Sequence, residues 1–320
     1  MLALSTLKYF GLTGKGQFSS DITQMYAAEL RSAIEANQLV AVVAPFGMGK
    51  TELVRSALRS VANSPSGLDV VEVHDPLRER QTVAVVMNAV IFELGDSNPR
   101  RDAEARARQF IRLVGQRVVV DHRRVCVVIE NAHRLHPSTL MAIKDIRERS
   151  FAGVSPLFSV LLVGQPGLDE RLSKHQEVLY RTNVIKLDSA GGWMGVEERV
   201  AYLEAVYGPA LTPAVRGRIA LLANGPLALD YTVEEAMRRA HRMGFNVLDD
   251  RTVMPSVTDL FEASGLTQGQ AAKLLDIPKS TIGDILRDGD THSRASDLRS
   301  RLAALATTGD GASGSLALHA

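Results

Sequence analysis

Leu39-Val40-Ala41-Val42-Val43, followed by Ala44-Pro45-Phe46-Gly47-Met48-Gly49-Lys50-Thr51, is the stretch whose reading decides the fold. The unbroken apolar run reads as a buried strand, and the glycine-rich octet after it opens into the helix-like Glu52-Leu53-Val54-Arg55-Ser56-Ala57-Leu58. Strand, phosphate loop and helix in that order form a Walker A nucleoside-triphosphate site. Such a loop needs small residues so that backbone N–H groups can wrap the phosphates, a lysine to reach the β and γ phosphates, and a hydroxyl to hold a magnesium ion. Gly47, Gly49, Lys50 and Thr51 supply these parts, with Pro45, Phe46, Met48 and Glu52 as the remaining candidate nucleotide contacts. Ala44 departs from the pattern GxxxxGK[ST], and it would be strained if the loop required a positive φ there. The competing reading is a chance glycine-rich turn in a buried βα unit.

A second strand must complete the site, and Val125-Cys126-Val127-Val128-Ile129-Glu130-Asn131-Ala132-His133 is the candidate: a β-branched run ending in a polar cluster. In the usual Walker B arrangement the strand ends in Asp-Glu, one carboxylate serving the metal and the other polarising the attacking water. Here the pair is Glu130-Asn131. Glu130 can serve Mg2+ together with Thr51, but an amide at position 131 can orient a water and cannot act as a general base. Hydrolysis is therefore expected to be slow or conditional. A core strand with a polar end is the blander alternative.

In Tyr9-Phe10-Gly11-Leu12, the loop 44–51, Glu130-Asn131-Ala132-His133-Arg134-Leu135 and Leu161-Leu162-Val163-Gly164-Gln165-Pro166-Gly167-Leu168, the chain resembles the AAA+ ATPases of the general-secretion ExeA type. The same pattern is shared by the ATP-dependent target-selection proteins of DNA transposition, such as Mu transposition protein B and its relatives. The resemblance spans about residues 7–245, and the Gly-Gln-Pro segment after the third buried strand is its most specific part. It implies ATP and Mg2+ as cofactors, with double-stranded DNA, a transposase and further copies of the chain, in a ring or helical filament, as partners. It gives Gln165 the role of sensing the γ-phosphate. It makes Arg181, in Leu179-Tyr180-Arg181-Thr182-Asn183, the residue reaching a neighbouring subunit's nucleotide, with Arg147 and Arg149 as alternatives and a solvated surface charge as the plain reading of any one of them. The family's lid carries a sensor arginine after a Gly-Pro turn, where Asn224-Gly225-Pro226-Leu227-Ala228-Leu229 has Leu227. With Ala44, Asn131 and Leu227 all off the pattern, the chain looks better suited to holding ATP than to turning it over, as befits an assembly switch.

Helical patterns alternate with buried strands through the first part of the chain, which predicts an α/β fold with a parallel sheet covered on both sides. Helices are expected over residues 21–37 (with Met25, Ala28, Leu30 and Ile34 among the apolar positions), 82–94, 103–120 and 138–150, and further strands over 70–73 and 158–163. From about residue 195 to 243 the pattern is wholly helical, with segments 197–206, 213–223 and 227–242, matching an AAA+ lid. The expected organisation is a leading segment and helix (1–36), a nucleotide-binding core (37–190), a helical lid (191–250), a helix-turn-helix-like domain (251–305) and a flexible Gly/Ser/Ala-rich tail (306–320).

Two regions are candidates for DNA. Residues 100–124 hold eight arginines against Asp102, Glu104 and Asp121, a local excess of five positive charges. If helical, Arg101, Arg108 and Arg112 share one face while Phe110, Ile111, Val114 and Val118 form the buried stripe. A row of arginines would contact phosphates without reading sequence; a solvated, salt-bridged face is the alternative. In residues 266–286, Thr267 reads as an N-cap, Ala272 as the small residue where two helices cross, Asp276-Ile277-Pro278 as the turn, and 279–286 as a second helix. This all-α segment resembles a phage-repressor helix-turn-helix, with Lys279, Ser280, Thr281 and Asp284 facing the groove. Seven basic and seven acidic side chains in 251–305 leave it electrically balanced, so protein docking competes with DNA contact.

The formal net charge of +1 over 320 residues offers no global attraction to nucleic acid or membrane. A single cysteine, Cys126, excludes an internal disulfide and fits a cytoplasmic protein; no apolar run approaches the ~20 residues of a spanning helix, so no membrane partner is expected. His74-Asp75-Pro76 reads as a turn, Trp193 as packing at the junction of sheet and lid, and His133 and His136 as lacking the companions of a zinc site. The function that gathers these readings is an ATP-dependent protein that oligomerises on DNA and delivers target DNA to a transposase. A secretion or envelope-assembly ATPase and an ATP-controlled helix-turn-helix regulator of transcription are the alternatives.

Overall fold

The computed structural model describes residues 4–13, 16, 18–73, 81–95, 98–188, 190–242, 244–248, 257–288 and 292–308; His74-Asp75-Pro76, the start of the helix-turn-helix-like segment at 251–256 and the tail from 309 lie outside them. The chain divides into two compact units, one of residues 17–202 with 223–229, the other of residues 1–16, 203–222 and 230–320.

The first unit is built on five parallel strands, β1 (Leu39–Val43), β2 (Leu68–Val73), β3 (Arg124–Ile129), β4 (Ser159–Gly164) and β5 (Thr182–Lys186), in the order β2-β3-β4-β1-β5. All of β1 and β4 is buried, as strands covered on both faces must be. β5 was not foreseen from the sequence. As an edge strand it buries only Ile185, so Thr-Asn-Val-Ile-Lys carries no apolar run. Parallel pairing sets Val43 level with Gly164 on one side and Lys186 on the other, and Ile129 level with Leu162. The carboxyl ends of β1, β3 and β4, where the polar motifs sit, therefore share one edge of the sheet.

Helices cover the sheet where their apolar stripes demand it. Asp21–Glu35 starts at the cap Ser20, whose hydroxyl accepts from the Thr23 N–H at 3.1 Å, and it buries Tyr26, Leu30, Ala33 and Ile34. Met25 and Ala28, expected on that face, are exposed: spacings of four, three and one from Tyr26 define the buried stripe. Val83–Glu93, Ala103–Gly115 and Pro137–Arg147 pack on the main core, where Phe110 meets Phe158 edge-on at 5.2 Å. The helix expected to run to Val120 is α-helical only to Gly115; Gln116–Val120 is a π-helical turn. Three successive valines, each stiff at χ1, disfavour the tighter α geometry there. Asp102 caps this helix through Ala105 N–H at 2.7 Å, which leaves Arg101 outside it and off the face of Arg108 and Arg112. Cys126 is fully buried on β3, where burial pushes its thiol up to about 12 and leaves it inert.

In the second unit, the helices Gln268–Leu275 and Lys279–Asp288 flank a turn in which Asp276 is left-handed (φ 52°). Thr267 caps the first through a reciprocal bond with Gln270, and Val257–Ala263 and Ala295–Thr308 close a separate apolar core around Leu275, Ile282, Ile285 and Leu298. Ala271, not Ala272, is the fully buried alanine; Ala272 is partly buried beside it. Thr307 and Thr308, expected in the flexible tail, end the last helix. Among the described residues no helix is long and apolar enough to cross a membrane.

Candidate nucleotide site

The backbone turns from β1 into the helix Lys50–Ala62 through two left-handed glycines, Gly47 at φ 78° and Gly49 at φ 83°. A side chain at either would be strained. Ala44 has no positive φ; its N–H continues the sheet to the Gly164 carbonyl at 3.2 Å, so the alanine that departs from the pattern costs nothing. Phe46 stands at the loop's tip, 78% exposed. Lys50 Nζ donates to the carbonyls of Ala44 and Pro45 at 2.8 and 2.7 Å. Burial lowers its pKa and Glu130 acts in the opposite direction, which places the Glu130 carboxylate within electrostatic reach of the Lys50 ammonium. Thr51 and Glu52 are exposed at the helix start, and Glu52 pairs with Arg59 at 3.4 Å.

Glu130 follows β3 directly, half-buried, and Asn131 then turns the chain in a left-handed conformation (φ 55°, ψ 33°) into the short 3-10 helix Ala132–Arg134. Asparagine tolerates that region better than most residues. On the neighbouring β4, Gly164 has no room for a side chain: a Cβ there would lie 2.8 Å from Leu168 Cδ2 and 3.2 Å from His133 N. This close approach lets the Gln165 N–H donate to His133 Nδ1 at 3.3 Å. Burial first, then Arg134, Arg171 and Lys50, lowers the His133 pKa, keeping the ring neutral and able to accept. Asp169 holds the turn beyond Gln165 by accepting from Gly167 N–H at 3.2 Å and pairing with Lys186 of β5 at 2.6 Å. The His133–Gln165 contact has no sequence signal beyond the histidine itself.

The outer side of the phosphate loop is occupied by two segments. Trp193 is 3% exposed, and its indole Nε1–H donates to the Met48 carbonyl at 2.9 Å; Leu227 N–H donates to the Gly47 carbonyl at 3.2 Å. A Cβ on Gly47 would stand 3.0 Å from Leu227 Cβ, so leucine packs on the loop where the family pattern has an arginine. Of the three arginines considered for reaching a neighbour, Arg147 is half-buried and donates to the Asn37 carbonyl, and Arg149 makes two bonds to Glu104 at 3.1 and 3.0 Å. Arg181, half exposed, pairs with Glu148.

The donor set of Thr51 hydroxyl and Glu130 carboxylate is hard oxygen, which fits Mg2+. Among the described residues no three His, Cys, Asp or Glu side chains converge, so such an ion would draw its remaining ligands from phosphate oxygens and water. Arg108 and Arg112, one turn apart, line a shallow depression with Arg149, Phe151, Glu104 and Glu148. Arg108 pairs with Glu104 at 3.3 Å, and Arg117 and Arg123 both pair with Asp69, so part of the local positive charge is engaged internally. Lys279 and Ser280 are exposed on the second helix of the helix-turn-helix, Thr281 and Asp284 are half-buried, and Asp284 pairs with Arg287 at 2.9 Å.

The AAA domain family matches residues 33–172, and no curated protein sequence matches the chain. Solved structures share the fold over nearly its full length. The Aeropyrum pernix ORC2 protein (ADPNP-ADP complexes) is 14% identical with a TM-score of 0.53, covering 94% of this chain and 83% of that one. The A. pernix ORC1 protein in complex with DNA is 16% identical with a TM-score of 0.52, covering 97% and 84%. CDC6P from Pyrobaculum aerophilum is 11% identical with a TM-score of 0.53, covering 85% and 74%. At these identities the likeness is one of fold. Residues 33–172 of this chain match the AAA domain family, and its fold is that of the AAA+ P-loop NTPases.

Proposed function

We propose that the protein is an ATP-held switch that assembles on double-stranded DNA and delivers that DNA to a transposase, hydrolysing ATP slowly or on a partner's stimulus. The carrying observation is the conjunction in one chain of a complete phosphate loop with Asn131, an amide in a left-handed turn, where a catalytic carboxylate is expected. Lys50 would move from the Ala44 and Pro45 carbonyls to the β and γ phosphates, Thr51 and Glu130 would hold Mg2+, and Gln165, oriented through His133, would report the γ-phosphate. Mg2+ held there would supply charge neutralisation to the phosphates. With an amide at position 131 in place of a general base, the ATP state would persist long enough for assembly.

Arg181 is the group proposed to reach a neighbour's nucleotide, after release from Glu148. Arg108 and Arg112 are proposed to touch phosphates, with Arg101 outside the helix contributing separately. The likeness to a DNA-bound ORC1 structure is consistent with a DNA-associated role. Electron microscopy of the protein with ATP and duplex DNA tests the reading: a ring or filament that requires both supports it, and a monomer under every condition contradicts it. The capped helix-turn-helix favours a second reading, an ATP-controlled regulator that binds one DNA sequence through Lys279 and Thr281.

A further inference from the structure

Two donors hold the back of the phosphate loop: the Trp193 indole on the Met48 carbonyl at 2.9 Å and the Leu227 N–H on the Gly47 carbonyl at 3.2 Å. In a trans peptide the carbonyl and the following N–H point in opposite directions. Fixing the Met48 carbonyl from one side therefore aims the Gly49 N–H to the other, and fixing the Gly47 carbonyl does the same for the Met48 N–H. With Gly47 and Gly49 at φ 78° and 83°, these N–H groups lie in the kind of turn that forms an anion-binding concavity. A loop carrying two such glycines has many other conformations open to it, and ordering it only on ligand arrival would weaken binding.

The indole is itself held in place. It meets Tyr26 edge-on at 5.5 Å, and Gly191 precedes it because a Cβ there would lie 2.4 Å from the Tyr26 hydroxyl. The next residue, Met194, donates its N–H to the buried carboxylate of Glu198, which also accepts from the Ser20 hydroxyl. Arg199 ties this segment to the one carrying Leu227, donating to the Met194 carbonyl at 2.7 Å and the Ala223 carbonyl at 2.9 Å. An indole N–H is a donor only, so it cannot exchange its role with the loop.

The geometry points to Trp193 as a positioning residue for phosphate binding: it holds the Met48–Gly49 peptide so that the loop receives an anion, and it acts through that peptide rather than on the nucleotide. This rests on residues 44–51 being a phosphate loop. Trp193→Phe keeps a ring and removes the donor. ATP and inorganic tripolyphosphate should both bind about fivefold more weakly to it, by a common factor, the loss of one ordinary hydrogen bond. A loss confined to ATP would mean that the indole acts on the base, and unchanged affinity for both would mean that it holds nothing; either overturns the proposal.

The chain's single tryptophan gives a readout that needs no substitution at that position. In the unsubstituted protein, tripolyphosphate should shift Trp193 emission with the midpoint of its binding, and Lys50→Ala should remove both. Tripolyphosphate binding with no change in emission overturns the proposal even if Trp193→Phe fails to fold. Undiminished binding of both ligands by Lys50→Ala would instead strike the phosphate-loop assignment itself.

Discussion

At the scale of single residues, two positions carry the chemistry that distinguishes this site. His133 is held neutral beneath the usual histidine value, chiefly by burial, and accepts from Gln165 N–H. Because its folded-state pKa lies below the unfolded value of 6.5, the unfolded chain takes up the proton first as pH falls. The stability this group contributes is intact above pH 6.5 and is lost as pH drops from there through the depressed folded-state value. Thermal melts of the free protein should show a decline over that range, and His133→Asn, which keeps an acceptor without a titratable ring, should flatten it; an unchanged slope would deny the contact. Asn131 is the second position. Asn131→Glu restores a carboxylate near the attacking water and should raise steady-state ATP hydrolysis about 100-fold, the low end of what a positioned general base contributes. The left-handed turn makes glutamate there cost about 1 kcal/mol, so a small fall in Tm should accompany the gain. No increase in turnover would place the limiting defect elsewhere, with Leu227 against Gly47 the first suspect.

At the scale of elements, the parts that could be read from sequence are those whose burial is two-sided or whose capping is local. β1 and β3 show themselves because central parallel strands must be apolar on both faces, and Thr267 marks a helix start because a hydroxyl three residues before Gln270 has few other uses. β5 escaped because an edge strand with one buried residue has no period to detect, and the π-turn after Gly115 escaped because Val118, Val119 and Val120, whose stiffness disfavours the α geometry, also read as an apolar continuation of the helix. The same holds for the site. Lys50, Thr51 and Glu130 are legible as motif, while the Trp193–Met48 and His133–Gln165 contacts depend on what the fold brings together. Gly115 shows the tertiary constraint most sharply, since a Cβ there would sit 2.2 Å from Phe151 Cγ. Gly115→Ala, favourable for an isolated helix, should instead destabilise by about 1–3 kcal/mol through overpacking, read as a lower denaturation midpoint at unchanged slope. An increase in stability would mean that the Phe151 ring is free to leave.

At the scale of the whole molecule, the near-zero net charge means that any DNA affinity must come from local groups, and in the arginine-rich segment Arg108 is already paired with Glu104, and Arg117 and Arg123 with Asp69. Phosphate contact by Arg108, as proposed, would therefore compete with its pairing to Glu104, which favours an ATP-assembled array of weak contacts over one strong site. Duplex affinity measured by anisotropy, with and without ATP and across a salt series, tests that claim most directly. The account predicts binding that is tight only with ATP, indifferent to sequence, steeply weakened by salt, lost in Lys50→Ala, flattened in its salt slope by replacing Arg101, Arg108 and Arg112, and little changed by Lys279→Ala with Thr281→Ala. Equal affinity with and without ATP, or complete loss on altering only Lys279 and Thr281, would contradict it and establish the helix-turn-helix as the DNA-reading element.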